Sequence, residues 1–292
     1  AWTKDGKGFF YSRYDEPKEA TKLADVNYFQ KLYYHRIGTP QSADTLVYDR
    51  KDQKEWGFGG QTTDDGRYLV ITTTKGTAPK YRISYKDLSK PDAKVVDLID
   101  NFDAGYEFID NVGSVFYFST DRKAPKKRIV AIDVARPAEA NWKEIVAESA
   151  DTLVGADIVN NQLVLEYLKD AQSRVRVLTL EGQPVRDIAL PGIGTVAGLS
   201  GKRSDTETFY SFTGFTNPTT IYRLNLATGE STVFRQPKVA FDPSDYETRQ
   251  QFYTSRDGTR VPMFIVSKKG IKLDGQNPTY LYGYGGFNIS LT

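Results

Sequence analysis

Asp65-Gly-Arg-Tyr-Leu-Val-Ile71 reads as a tight turn feeding a strand. Asp-Gly suits the positive φ of a hairpin turn, and the run after it is β-branched, aromatic and apolar. The same unit recurs as Asp5-Gly6 before Gly8-Phe-Phe-Tyr-Ser12 and as Asn111-Val-Gly113 before Ser114-Val-Phe-Tyr-Phe118. It returns as Asn160-Asn161 before Gln162-Leu-Val-Leu-Glu166, and as Ser204-Asp205 before Thr206-Glu-Thr-Phe-Tyr210. Strand starts at 8, 67, 114, 162 and 206 lie 59, 47, 48 and 44 residues apart. Propeller blades repeat every ~40–50 residues, so the period predicts a mainly β chain holding about five blades of a β-propeller.

Each copy continues with a second strand that mixes basic and apolar residues: Tyr81–Tyr85, Arg128–Ile132, Arg174–Leu178 and Ile221–Asn225. A third, outer strand follows at Lys94–Leu98, Trp142–Val146, Val185–Ala189 and Ser231–Phe234. Such strands bury both faces only when sheets stack. The first interval is longer because Glu16–Asp25, polar and interrupted by Pro17, is inserted as an exposed loop.

Composition narrows the chemistry. The 292 residues are enough for one large all-β domain or two smaller ones. A formal charge of +2 gives no reason to expect a nucleic-acid groove. No apolar run approaches the roughly 18 residues of a membrane span, so no membrane partner is expected. With no cysteine there is no disulfide, thiol nucleophile or Cys-ligated zinc. That suits a cytoplasmic location, and a bacterial periplasm equally. His35 is the only histidine, which excludes a multi-His metal site within this chain. No metal and no cofactor are expected. The start at Ala1-Trp2, without an initiator Met, reads as an internal cut.

Near Pro237 the period stops. Asp245–Tyr253 and Arg260–Val266 read as two strands joined by the Asp257-Gly258 turn, and residues 267–277 as a polar connection. Tyr280-Leu-Tyr282 reads as a buried strand that breaks into Gly283-Tyr284-Gly285-Gly286. A strand followed by a Gly-Gly loop is how α/β-hydrolases build part of an oxyanion hole. Within such a loop the Tyr284 phenol is a candidate donor to a developing oxyanion.

The flanks Val261–Gly270 and Ile271–Pro278, with the Tyr282-Gly-Tyr-Gly-Gly-Phe-Asn-Ile-Ser290 run, closely resemble prolyl oligopeptidases. So do Trp2–Gly8 and Gln30–His35 near the start, and the resemblance covers essentially the whole chain. It implies a seven-bladed propeller whose later blades occupy residues 1–238, with two further blades upstream, and an α/β-hydrolase domain beginning over 239–292. The implied activity is a serine endopeptidase cutting short peptides after proline through an acyl-enzyme. Its expected partners are short proline-containing peptides and the remainder of its own polypeptide. Tyr284 is implied as the side-chain oxyanion donor, and Phe287 as a wall of the proline pocket, where an aromatic face packs against a pyrrolidine ring. Thr77 and Phe58 fall near outer substrate-pocket positions, Phe58 with an alignment ambiguous by one residue. Asn288 shares the motif and is assigned only loop geometry.

Other candidates read as structural. His35 lies in a strand pattern with no serine elbow nearby, and Asp64-Asp65 serves a turn. Trp56-Gly-Phe-Gly-Gly60 is not followed by a helix and so is no phosphate cradle. Ser84, Ser119 and Ser211 lie in or beside strands, and no Gly-x-Ser-x-Gly elbow occurs. The nucleophile and its partners are therefore expected outside this sequence, leaving this segment inactive alone. The alternative reading is a non-catalytic propeller that binds peptides or proteins, and residues 245–292 are the feature it leaves unexplained.

Overall fold

Each turn-and-strand unit forms a strand in the computed structural model, which describes residues 1–17, 19–20, 23–24, 26–287 and 289–291. The first sheet holds β1 (Gly8–Arg13), β2 (Lys31–Arg36) and β3 (Thr45–Tyr48). The second holds β4 (Trp56–Thr62), β5 (Tyr68–Lys75), β6 (Arg82–Asp87) and β7 (Val96–Ile99). The third contains β8 (Tyr106–Val112), β9 (Val115–Thr120), β10 (Arg128–Asp133) and β11 (Lys143–Val146). The fourth contains β12 (Thr152–Val159), β13 (Gln162–Lys169), β14 (Gln172–Thr179) and β15 (Pro184–Ile188). The fifth contains β16 (Thr195–Gly198), β17 (Glu207–Thr213), β18 (Thr220–Asn225) and β19 (Ser231–Arg235). In every sheet, strands adjacent in sequence pair antiparallel.

The three-strand repeat read from sequence is thus one strand short. In four sheets an extra strand (β4, β8, β12 or β16) precedes the turn. Its signal is weak because β4 carries Gly57, Gly59 and Gly60, and β16 is only four residues long. Gly60 is there for close approach: a Cβ would stand 3.2 Å from Leu69 and 3.3 Å from Leu32.

A register shift marks the last strand pair of each sheet, beside Leu32, Ile83, Ile129, Val177 and Ile221. Because β2–β3 carries the same shift, the first sheet's three strands correspond to the second, third and fourth strands of the others. The turns follow their residue chemistry. Asn160 and Asn161 take φ of 54° and 52°, joining Val159 to its partner Gln162 in a two-residue hairpin.

The chain divides into two compact units, Ala1–Glu148 and Ser149–Thr292. Within the first, alternation along β5 explains the packing. Leu69 and Ile71 pack with Phe10, Leu32, Trp56 and Phe58 toward the first sheet. Tyr68 and Val70 face the other way, onto Tyr106, Phe116 and Phe118 of the third sheet. Phe116 is fully buried, with the rings of Tyr68, Phe108 and Tyr85 edge-on at 5.0, 5.4 and 5.6 Å. In the second unit Val164, Val175 and Val177 of the fourth sheet meet Val196, Tyr210 and Phe212 of the fifth.

Past the fifth sheet, β20 (Tyr246–Thr254) and β21 (Arg260–Lys268) form the expected hairpin. Gln172 Nε2 donates to Gln250 Oε1 at 3.0 Å, and Phe215 meets Phe264 with centroids 5.3 Å apart, tying the hairpin to its unit. Of the inserted loop at 16–25, the described residues are exposed, as expected.

Phe116→Ala should destabilise the protein by about 3–5 kcal/mol, the usual cost of emptying a packed aromatic site. Phe209→Ala, at a half-exposed ring, should cost far less; equilibrium unfolding of the two variants checks the order.

Candidate functional site

The tail from Pro278 is built differently from the sequence expectation. Tyr280, Leu281 and Tyr282 are 86%, 84% and 64% exposed and join no strand ladder among the described residues. The expected buried strand is not formed: β20 and β21 pair only with each other, and among the described residues the run adds to neither of them. Tyr280 and Tyr282 instead stack on each other, 6.3 Å apart at 12°.

The loop that follows is a turn in which Ile289 N–H donates to Gly286 O at 3.1 Å and Phe287 takes φ of 52°. Tyr284 is half-exposed, and its phenol folds back over Gly286. A Cβ at residue 286 would sit 3.0 Å from Tyr284 Oη, so the glycine makes room for the hydroxyl. Phe287 is 93% exposed and packs in no core. Asn288 lies outside the described residues. Tyr284, just before this turn, and Phe287, within it, are both exposed.

The structure does not bring Phe58 and Thr77 into one wall. Phe58 is buried in β4, edge-on to Tyr48 at 5.1 Å, with its N–H donating to Gln30 Oε1 at 2.6 Å. Its ring packs with Leu32 and Ile71 in the core between the first and second sheets. Thr77 is exposed in the turn after β5.

The remaining polar candidates are accounted for locally. Asp65 accepts from Thr63 Oγ1 at 2.6 Å and from Arg67 N–H at 2.9 Å, as a turn residue should. Ser84 donates to Asp97 at 2.7 Å within the second sheet. His35 Nδ1 meets Asp44 Oδ1 at 2.7 Å, and Tyr11 donates to the other carboxylate oxygen. Burial alone would raise Asp44, but these two donors hold its carboxyl below the usual range.

Glu166 lies in the Gln162–Glu166 run, where the sequence does not mark it as special. It stands on the same side of β13 as Val164, toward the fifth sheet, with Ser173 Oγ donating to it at 2.9 Å. Burial raises its carboxyl and that single hydrogen bond only partly offsets the effect. A charged residue on the inward side of an alternating strand is the available signal.

Known proteins share this fold. The family described as "Prolyl oligopeptidase, N-terminal beta-propeller domain" matches residues 1–237. The chain belongs to the prolyl oligopeptidase family. A prolyl endopeptidase of Elizabethkingia meningoseptica is 40% identical over 291 residues, covering 100% of this chain and 41% of that protein. A solved prolyl endopeptidase, 38% identical, superposes over 98% of this chain and 41% of its own with a TM-score of 0.82. Prolyl oligopeptidase B from Galerina marginata, solved bound to a 35mer hydrolysis and macrocyclization substrate, is 29% identical with a TM-score of 0.84. It covers 94% of this chain and 39% of its own. The chain thus spans about two fifths of the length of these prolyl oligopeptidases, and its sheets are those of the family's propeller.

Within this propeller, Glu166→Gln should raise thermal stability at neutral pH, because it keeps the acceptor for Ser173 and removes a half-buried charge. The folded state holds the Glu166 proton more tightly than the unfolded chain, whose ordinary value is 4.5. The penalty is therefore present above the raised folded value and gone below the unfolded one. Melting curves at pH 7 and pH 4 should show a gain that disappears in acid; an equal gain at both would refute the buried-charge account.

Proposed function

We propose that this chain forms part of a serine endopeptidase that cleaves short peptides on the carboxyl side of proline. One observation carries the reading: the likeness to prolyl endopeptidases does not stop with the propeller at 237 but runs on through the tail, over 98–100% of the chain. In this reading residues 1–238 belong to the propeller and 239–292 open the α/β-hydrolase domain. The serine, aspartate and histidine lie elsewhere in the full-length enzyme, and this segment alone is inactive.

Tyr284 then acts as an electrostatic group. Attack by the serine on the carbonyl moves charge onto oxygen, and a phenolic O–H already aimed there stabilises the transition state more than the ground state. Its exposure and the small glycines around it fit a donor that must approach a substrate from a loop. The exposed Phe287 ring beside it offers an apolar face to the proline side chain. The propeller's role in this reading is to limit access to small, flexible peptides.

The test uses the full-length enzyme and a chromogenic Gly-Pro amide. Tyr284→Phe should lower kcat by about 10²–10³-fold with little change in KM, the signature of a lost oxyanion donor. Intact turnover would remove Tyr284 from the chemistry. Equal cleavage after alanine and proline would remove the specificity.

A further inference from the structure

Between the first and second sheets lies a cavity of about 590 Å³ that the peptidase reading does not use. Its size falls within the range of small-molecule sites. Phe10 and Tyr34 from the first sheet and Leu88 and Pro91 from the second give it apolar walls. Thr3 and Thr45 bring hydroxyls, and Lys4 and Lys86 bring charge.

Two glycines keep this space open. Gly8 has no side chain where Tyr34 lies: a Cβ there would come within 2.5 Å of the phenol and 2.2 Å of His35 O. Gly66, at φ +72°, likewise lets the Lys4 stem cross its backbone, where a Cβ would stand 2.8 Å from Lys4 Cγ.

Most charged groups on the wall are already engaged, Asp5 also by the Lys7 ammonium at 3.5 Å. Asp5 is held by Thr3 Oγ1 at 2.7 Å and Lys7 N–H at 3.0 Å, and Asp65 by its own turn and by Asn111 Nδ2 at 2.8 Å. Lys4 pairs with Asp64 at 2.9 Å. Lys86 is different. Among the described residues its half-buried ammonium makes one hydrogen bond, to the Ala93 carbonyl, and meets no carboxylate. An ammonium has three donors, so a carbonyl leaves both its charge and two N–H groups for another acceptor.

We propose that this cavity binds a small amphipathic carboxylate, with its anionic head on Lys86 and its apolar body against Phe10, Leu88 and Pro91. The hydroxyl of Thr45 lines the same space and offers a donor to the second carboxylate oxygen. An ammonium partly removed from water binds an anion more strongly than a surface lysine does, which favours an acid over a neutral ligand of equal shape. The inference is independent of the peptidase reading, because binding is measured directly.

The experiment titrates the full-length protein with sodium 4-phenylbutyrate, and separately with 4-phenylbutyramide, by calorimetry. The acid should bind saturably with a Kd on the order of 1 mM, as expected for about a dozen non-hydrogen atoms. The amide should bind at least ~10-fold more weakly, the factor that about 1.4 kcal/mol of lost ion pairing produces. Lys86→Met should weaken the acid to the level of the amide, Lys86→Arg should retain it, and Lys238→Met, far from the cavity in sequence, should leave it unchanged. Absence of saturable binding, equal affinity for acid and amide, or full affinity in Lys86→Met would each overturn the proposal. The acid–amide comparison needs no variant, so the test holds even where Lys86→Met does not fold.

Discussion

A strand buried on both sides is the constraint on which this architecture depends. Tyr68-Leu-Val-Ile71 is aromatic and aliphatic throughout, and each successive side chain points to the opposite sheet neighbour. An isolated antiparallel sheet carrying that segment would leave one apolar face in water. Flanking the sheet on both sides resolves this, and the same demand then passes to the next sheet. Stability in such a chain is shared between neighbours rather than held in one central core. The edge-on rings around Phe116 show why aromatics suit these positions, since they fill the wide gap between twisted sheets and still interact favourably.

What was legible followed from local chemistry. Asp-Gly, Asn-Asn and similar pairs need particular backbone angles, so each announced its turn, and the strand after it is a short run rich in apolar and aromatic residues. The strand before the turn was not legible, because β4 is rich in glycine and β16 is short. Glycine there serves close packing by another sheet, which is a property of the partner and not of the segment itself. Tyr280-Leu-Tyr282 erred in the opposite direction. Its residues have strand propensity, but propensity expresses fit to a half-buried pleated surface, and among the described residues this run lies against none.

The candidate site divides along the same line. Tyr284 and Phe287 stand out in sequence because glycines and aromatics form one contiguous string there, and both side chains are exposed. Phe58 packs in a core, and a ring that lines a pocket and a ring that fills a core look alike in sequence. Glu166 and Lys86 gained their significance only from what surrounds them: a carboxyl facing another sheet, and an ammonium left with a carbonyl.

The proposed chemistry rests on the Tyr284 phenol reaching a reacting carbonyl oxygen once the rest of the enzyme is present. A crystal structure of the full-length protein bearing a peptidyl-proline aldehyde, whose hemiacetal oxygen mimics the tetrahedral oxyanion, measures this directly. Tyr284 Oη should then lie about 2.7–3.1 Å from that oxygen. A phenol turned away from it, with the oxygen held by other donors, would contradict the oxyanion role.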